Sequence, residues 1–308
     1  MKTNVVTIQL FSEQQDNTGE GPVWSQTGQV LYWIDIGSKR LYRRGLSDPN
    51  AQSWDLKGYP GSLAEISLDV VGIALGDGIQ LLDLQTGELS ELWAGPPRRN
   101  ATRFNDGKVD PLGRFWVGTM QNNFGPDGEP ISIGRWDGAL YRFDRTGSVE
   151  TVEEGIGISN TLAWSPDLRR FYFADSLRGQ IYAYDFDAES GSVSNKRLFF
   201  ENELGIPDGS AIDVDGCLWN ARWDGGAVVR VTPSGVLDRV IKLPVPRPTS
   251  CIFGGPDMDT LFVTSARNGL KREELEEFPL SGSVFAIGGV GQGSPVPPLS
   301  CTPRQKQI

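Results

Sequence analysis

One arrangement of polar and apolar positions recurs along the chain. A turn carrying Gly, Asp or Pro leads into an apolar residue, an aromatic one, and a small or polar ending. Ser25-Gln26-Thr27-Gly28 leads into Leu31-Tyr32-Trp33-Ile34-Asp35, and Asp110-Pro111-Leu112-Gly113 into Phe115-Trp116-Val117-Gly118-Thr119. Ser165-Pro166-Asp167 precedes Phe171-Tyr172-Phe173-Ala174-Asp175, and Asp213-Val214-Asp215-Gly216 precedes Leu218-Trp219-Asn220-Ala221-Arg222. Gly255-Pro256-Asp257 runs into Leu261-Phe262-Val263-Thr264-Ser265, and a weaker copy joins Ser67-Leu68-Asp69 to Val71-Gly72-Ile73-Ala74-Leu75. Successive copies begin roughly 40 to 56 residues apart, the length of a propeller blade of four strands.

Most copies are followed by a run alternating at period two, as half-buried strands do. Arg40–Arg43, Gly138–Phe143, Gln180–Tyr184 and Ala227–Val231 are examples. Six copies predict an all-β fold, a six-bladed β-propeller around a central channel, spanning residues 1–290. A β-sandwich joined to a second β domain is the rival, but unrelated domains have no reason to share one signature. The last blade should include Ser283-Val284-Phe285-Ala286-Ile287 and be closed by the alternating run Val5–Leu10. Only Lys271–Glu277 and its flanks read as helical. Residues 291–308, rich in Pro, Gly and Ser, read as a loose tail.

The 308-residue chain carries 38 Gly, 20 Pro and nine Trp, which fits a folded, turn-rich β protein. Its net charge of -10 argues against nucleic acid or an anionic membrane as a partner. With no histidine, a Ser-His-Asp triad, a Cys-His pair and histidine metal sites are excluded. Cys217, Cys251 and Cys301 lie far apart, so there is no CxxC motif, and three sparse thiols suit a reducing compartment. The first ten residues alternate like a strand and lack the apolar core of a signal peptide; a cytoplasmic location is the expectation.

Four segments carry polar residues beside Gly or Pro, or in a Ser-Asn-Thr run. They are Gly19–Trp24, Arg103–Gly107, Ile158–Leu162 and Gly205–Ser210, and each precedes a strand signature by a similar interval. Equivalent places on a ring can face one point. That point would present Glu20, Asn160 and Asp208, with Asn105 and Asp106 adjacent. Two carboxylates and amide oxygens make a hard oxygen site, suited to Ca, Mg or Mn rather than a typical zinc centre. Arg103 adds a fixed positive fork suited to an oxyanion or to sugar oxygens. Singly, an Asp-Gly reads as a turn and an Asn after Ser as a loop hydrogen-bonder.

Together these segments resemble the SMP-30/gluconolactonase/LRE family, which includes regucalcin and the bacterial sugar lactonases. The matching motifs are Gly19-Glu20-Gly21-Pro22-Val23-Trp24, Arg103–Lys108 with Gly118-Thr119-Met120, Ser159-Asn160 with Trp164-Ser165, Pro207-Asp208-Gly209, and Cys251-Ile252-Phe253-Gly254-Gly255. The resemblance implies a propeller with one catalytic divalent metal in its channel (Ca, Mg, Mn, Zn or Fe(II)). It implies Glu20, Asn160 and Asp208 as metal ligands, and Arg103 and Asn105 as substrate-binding residues. Asn123 takes the place of a substrate-binding glutamate of animal members, so their sugar preference does not carry over. The segment from Asn122 to Trp136 looks like the specificity lid.

The activity so implied is hydrolysis of a sugar lactone, such as gluconolactone, arabinonolactone or xylonolactone, to its aldonic acid. The metal would polarise the carbonyl, Asp208 would take a proton from the attacking water, and Asp106 would brace Arg103 or the loop. Trp223 is either a stacking platform for the sugar or a structural residue. The alternatives are a calcium-binding regulatory protein of regucalcin type, a phosphotriesterase-like hydrolase, and a propeller that only binds other proteins.

Overall fold

A computed structural model describes residues 5–96, 101–125 and 128–301. Six antiparallel sheets of four strands each follow one another around a channel. The innermost strands are Gly19–Ser25, Pro60–Ser67, Thr102–Val109, Ser159–Trp164, Ile206–Ile212 and Pro248–Gly254, and each contacts the next until the ring closes. The recurring aromatic signatures are the second strands, from Val30–Asp35 in the first blade to Thr260–Ser265 in the sixth. The third strands are the alternating runs. The fourth strands, such as Gln52–Asp55 and Leu237–Lys242, are largely exposed.

Closure follows the expected route. Thr7–Ser12 pairs with Val284–Gly288, placing Ile8 opposite Ile287 and Leu10 opposite Phe285. One ring of this kind excludes the two-domain arrangement. The sole α-helix among the described residues is Arg272–Glu277, on the surface; none is long and apolar enough to cross a membrane.

The apolar core lies between blades. Trp116 and Leu140 of the third blade pack with Trp164, Phe171 and Phe173 of the fourth, and Tyr172 and Ile181 of the fourth with Leu218 and Val229 of the fifth. Burying a large side chain of this kind contributes about 1.5–3 kcal/mol. A buried indole N–H favours an acceptor, and in the third and fifth blades the turn supplies it. Trp116 donates to Asp110 (3.0 Å) and Trp219 to Asp213 (2.9 Å), each aspartate standing six residues earlier in its turn.

The end of the chain departs from the loose tail its composition suggests, as far as Cys301; residues 302–308 lie outside the described residues. Gly293 pairs with Asp213, the Leu299 N–H donates to the Glu65 carbonyl, and that of Ser300 to the Gly113 carbonyl. Val290 and Leu299 are buried. Residues 291–301 therefore strap the sixth, fifth, second and third blades together. Cys217 and Cys251 are buried and Cys301 half-buried, all as free thiols.

Candidate functional site

All four polar motifs fall at the start of innermost strands, and each strand carries one residue more than its partner there. Glu20 pairs with Ile34 but Val23 with Tyr32; Phe104 pairs with Thr119 but Gly107 with Val117. Asn160 pairs with Ala174 but Ala163 with Tyr172; Pro207 pairs with Arg222 but Ser210 with Asn220. Such a bulge leaves a residue out of the ladder and re-aims its neighbours. It turns Glu20, Asn105, Asn160 and Asp208 into the channel. Two of the bulges use left-handed backbone, Gly21 at φ 52° and Thr161 at φ 57°. A β-branched residue is an outlier in that region. Its hydroxyl donates to the Asp208 carbonyl and accepts from Asn220 Nδ2 (3.1 Å), tying the two strands together.

The glycines of Asn-Asp-Gly and Pro-Asp-Gly are not turn residues. A Cβ on Gly107 would lie 2.5 Å from Ser62 Oγ, and one on Gly209 would collide with Ser250. They let neighbouring inner strands approach.

Glu20, Arg103, Asn105, Asn123, Asn160 and Asp208 all line one cavity of about 240 Å³, together with Trp223. Every residue proposed from the sequence for metal or substrate is thus in one place. Asp106 is buried beneath it, where the backbone amides of Thr161 and Leu162 bind its carboxylate. Of the two roles read from the sequence, bracing Arg103 or the loop, its surroundings favour the loop: Lys108 and the backbone of Gly107, Thr161 and Leu162 are the groups that bear on its carboxyl.

Hydrogen bonding fixes the two amides. Ser176 Oγ donates to the Pro207 carbonyl (2.6 Å), so it must accept from Asn160 Nδ2 (2.8 Å). Asn160 Oδ1 is then turned the other way, toward Asn105 Nδ2 (3.2 Å). Asn105 Oδ1 accepts from Arg103 (2.9 Å), whose Nε donates to Asn123 Oδ1 at 2.7 Å.

The carboxyl groups of Glu20 and Asp208 stand in the same cavity, and each bears on the other's proton. Burial, and after it the Asp106 carboxylate, push Glu20 up to about 8. Burial, then Glu20 and Asp106, hold Asp208 well above the ordinary carboxylate range. Burial also lowers Arg103 to about 10, which leaves it charged at neutral pH. Two acids forced to share a proton are a place where a cation relieves repulsion.

Among the described residues no group of three or more His, Cys, Asp or Glu side chains could hold a metal ion. The oxygen donors that meet here are fewer in charge: two carboxylates and the Asn160 amide. That set has the chemistry for a hard divalent ion completed by water or substrate oxygens.

Several residues escaped the sequence reading. Asp35 accepts from the N–H groups of Asn17 (2.8 Å) and Thr18 (3.0 Å), just ahead of Glu20. Asp175 accepts from Gly157 and Ile158 (both 3.1 Å), just ahead of Asn160. In the fifth blade Arg222 fills the equivalent place with reversed polarity, donating to the carbonyls of Leu204 (2.7 Å) and Gly205 (2.9 Å) ahead of Asp208. The signal was the polar residue ending each signature in an otherwise buried strand. Ser176 left no such trace.

The lid segment contributes Asn123, Phe124 and Ile133 to the cavity wall. Phe124 stacks on Tyr59 with ring centroids 3.9 Å apart, and Lys39 and Arg103 cap the two outer faces. Trp223 reaches the cavity and carries the Arg247 guanidinium on its ring at 5.0 Å.

Residues 18–267 match the family described as SMP-30/Gluconolactonase/LRE-like region. The chain is 40% identical over 286 residues to 6-deoxy-6-sulfogluconolactonase of Pseudomonas putida, covering 91% of this chain and 94% of that one. It is 35% identical over 300 residues to regucalcin of Danio rerio, covering 96% and 99%. The crystal structure of a calcium-binding protein, regucalcin, from Agrobacterium tumefaciens superposes with a TM-score of 0.87 at 29% identity, over 95% of this chain and 97% of that chain. With the fold, the motifs and these likenesses in agreement, the chain belongs to the SMP-30/gluconolactonase/LRE family.

Proposed function

We propose that the chain hydrolyses a small lactone of the aldonolactone class to the open hydroxy acid, using one divalent cation held by Glu20, Asn160 and Asp208. The observation that carries this reading is the pair of buried carboxyl groups, Glu20 and Asp208, lining one cavity beside the Asn160 amide. The lactonase named among the relatives supports the substrate class.

A cation bound there supplies Lewis acidity that polarises the lactone carbonyl. Asp208 takes a proton from water as the water oxygen bonds to the carbonyl carbon. The ring C–O bond then breaks and the proton passes to the departing alkoxide. One water is consumed, and the acid product ionises with release of one proton at neutral pH. Arg103 donates hydrogen bonds to the substrate's oxygens, and Asn105, whose Nδ2 donates to the Ser159 carbonyl and to Asn160 Oδ1, lines the site and keeps Asn160 in place. The Phe124–Tyr59 stack holds the lid segment over the site and limits entry of bulk water.

Proton release from a panel of aldono-1,4- and 1,5-lactones tests this. The protein is stripped with chelator and resupplied with Ca, Mg, Mn, Zn or Fe(II). Cation-dependent opening above the spontaneous rate is expected. If no ion restores any opening, the activity is wrong; tight calcium binding without turnover would then favour a regulatory calcium-binding role, as the names of the regucalcin relatives suggest.

A further inference from the structure

We propose that the end of the substrate remote from the reacting carbonyl is apolar. The simplest such substrate is a 6-deoxyhexonolactone, with methyl where an ordinary hexonolactone carries CH2OH. This rests on the lactonase reading of the same site and specifies the substrate within it.

The inner strands set the argument. Residues two apart share a face of a strand, so each floor residue has a companion nearer the mouth. The companions of Glu20, Asn105, Asn160 and Asp208 are Thr18, Arg103, Ile158 and Ile206, and all four line the cavity. Behind them stand Ile36, whose N–H donates to the Thr18 carbonyl, and Trp223, the strand partner of Ile206. The lid closes the remaining side with Ile133 and Phe124. The floor is polar and most of the mouth is hydrocarbon.

Of the polar groups at the mouth, Thr18 and the Nε and Nη1 of Arg103 are already engaged. Thr18 Oγ1 donates to Asn17 Oδ1 at 3.1 Å. Arg103 donates to Asn123, the Phe104 carbonyl and Asn105. A terminal hydroxyl placed against the Ile158–Ile206–Ile133 wall would exchange water for hydrocarbon without a partner there. Charge fares no better. Glu20, Arg103 and Asp208 are the charged residues of the cavity lining among the described residues. The nearby Arg247 is taken up by Asp224 (2.5 Å) and the Asn268 carbonyl, with its flat face on Trp223. Among the described residues, then, the Ile158–Ile206–Ile133 wall offers a sulfonate or carboxylate no cation. A methyl group fills the Ile158–Ile206–Ile133 wall and removes apolar surface from water. Ile206 is 40% exposed, so the wall is open to receive it.

The test compares two lactones of the same configuration and ring size, one with methyl and one with CH2OH at C6, and a third with a C6 sulfonate, on cation-supplied protein. The methyl lactone is expected to show kcat/KM about 10- to 100-fold above the hydroxymethyl one, the discrimination a hydrophobic pocket gives for one hydroxyl. Ile206→Asn is expected to bring that ratio toward one while still opening the hydroxymethyl lactone. Equal turnover of the pair, or preference for the hydroxymethyl or sulfonated lactone, overturns the apolar end and leaves the lactonase standing. Opening of none of the three overturns both.

Discussion

Asp35 and Asp175 do the same work in blades one and four. Each ends a buried second strand, and each accepts the two backbone N–H groups that lead into a cavity residue, Glu20 in one case and Asn160 in the other. Carboxylate acceptors on backbone amides are among the stronger hydrogen bonds, so the two aspartates set where the donors begin.

Replacing either by asparagine should weaken cation binding about 10- to 100-fold, the usual cost of disturbing the groups that orient metal ligands. The check is a calorimetric titration of chelated protein with calcium and with zinc, alongside a thermal melt. Unchanged affinity in both variants would show that Glu20 and Asn160 need no such support.

Glu20 makes the stability of chelated protein depend on pH. The unfolded chain ionises this residue near the ordinary 4.5, whereas the folded chain keeps the proton to about 8. Folded stability is therefore intact below about 4.5 and declines as pH rises from there toward 8. Added divalent cation should recover the loss and release protons. Melting curves of wild type and Glu20→Gln, with and without cation, measure it. The expected result is a downward slope in chelated wild type that is shallower in Glu20→Gln, where the buried Asp208 still contributes; parallel curves would contradict it.

The Phe124–Tyr59 stack is expected to act on substrate retention. Tyr59→Ala removes a stacked partner worth about 0.5–1.5 kcal/mol, so KM should rise about 2- to 10-fold with kcat nearly unchanged. Faster cleavage of residues 122–136 in limited proteolysis should accompany it. Wild-type KM with wild-type protease resistance would remove the stack from the account.

Leu299 tests the strap across the blades. It is 4% exposed and packs with the cluster shared by the second and third blades. Leu299→Ala should cost about 2–4 kcal/mol, read as a lowered denaturation midpoint in urea. A cost under about 0.5 kcal/mol, typical of surface substitutions, would mean that the segment rests on the ring without holding it.

The ring was legible because its signal is repeated. Six signatures, five of them aromatic, mark six second strands, and the alternating run near the N-terminus names the closing strand. The four polar motifs were legible as a set because they stand at similar intervals before those signatures. What the sequence hides is register. Nothing in Gly-Glu-Gly-Pro or Ser-Asn-Thr announces an extra residue in the ladder, yet the bulges at Glu20 and Asn160 aim the donors. For Asp106 the sequence left two roles open, because an aspartate beside a glycine and near an arginine suits an ion pair as well as a loop brace; only the fold brings the backbone of Thr161 and Leu162, from another blade, up to its carboxyl. The stretch 291–301 looks disordered by composition, but Val296 and Leu299 find apolar clusters that only the closed ring creates.

The central claim is that Glu20, Asn160 and Asp208 hold one cation on which turnover depends. Its most direct test follows lactone opening while a divalent ion is titrated into chelated wild type and into Asp208→Ala. The account predicts that wild-type activity rises from background and saturates at one ion per chain, and that Asp208→Ala stays at background at every ion concentration. Turnover indifferent to chelation, or a variant as active as wild type, would contradict it.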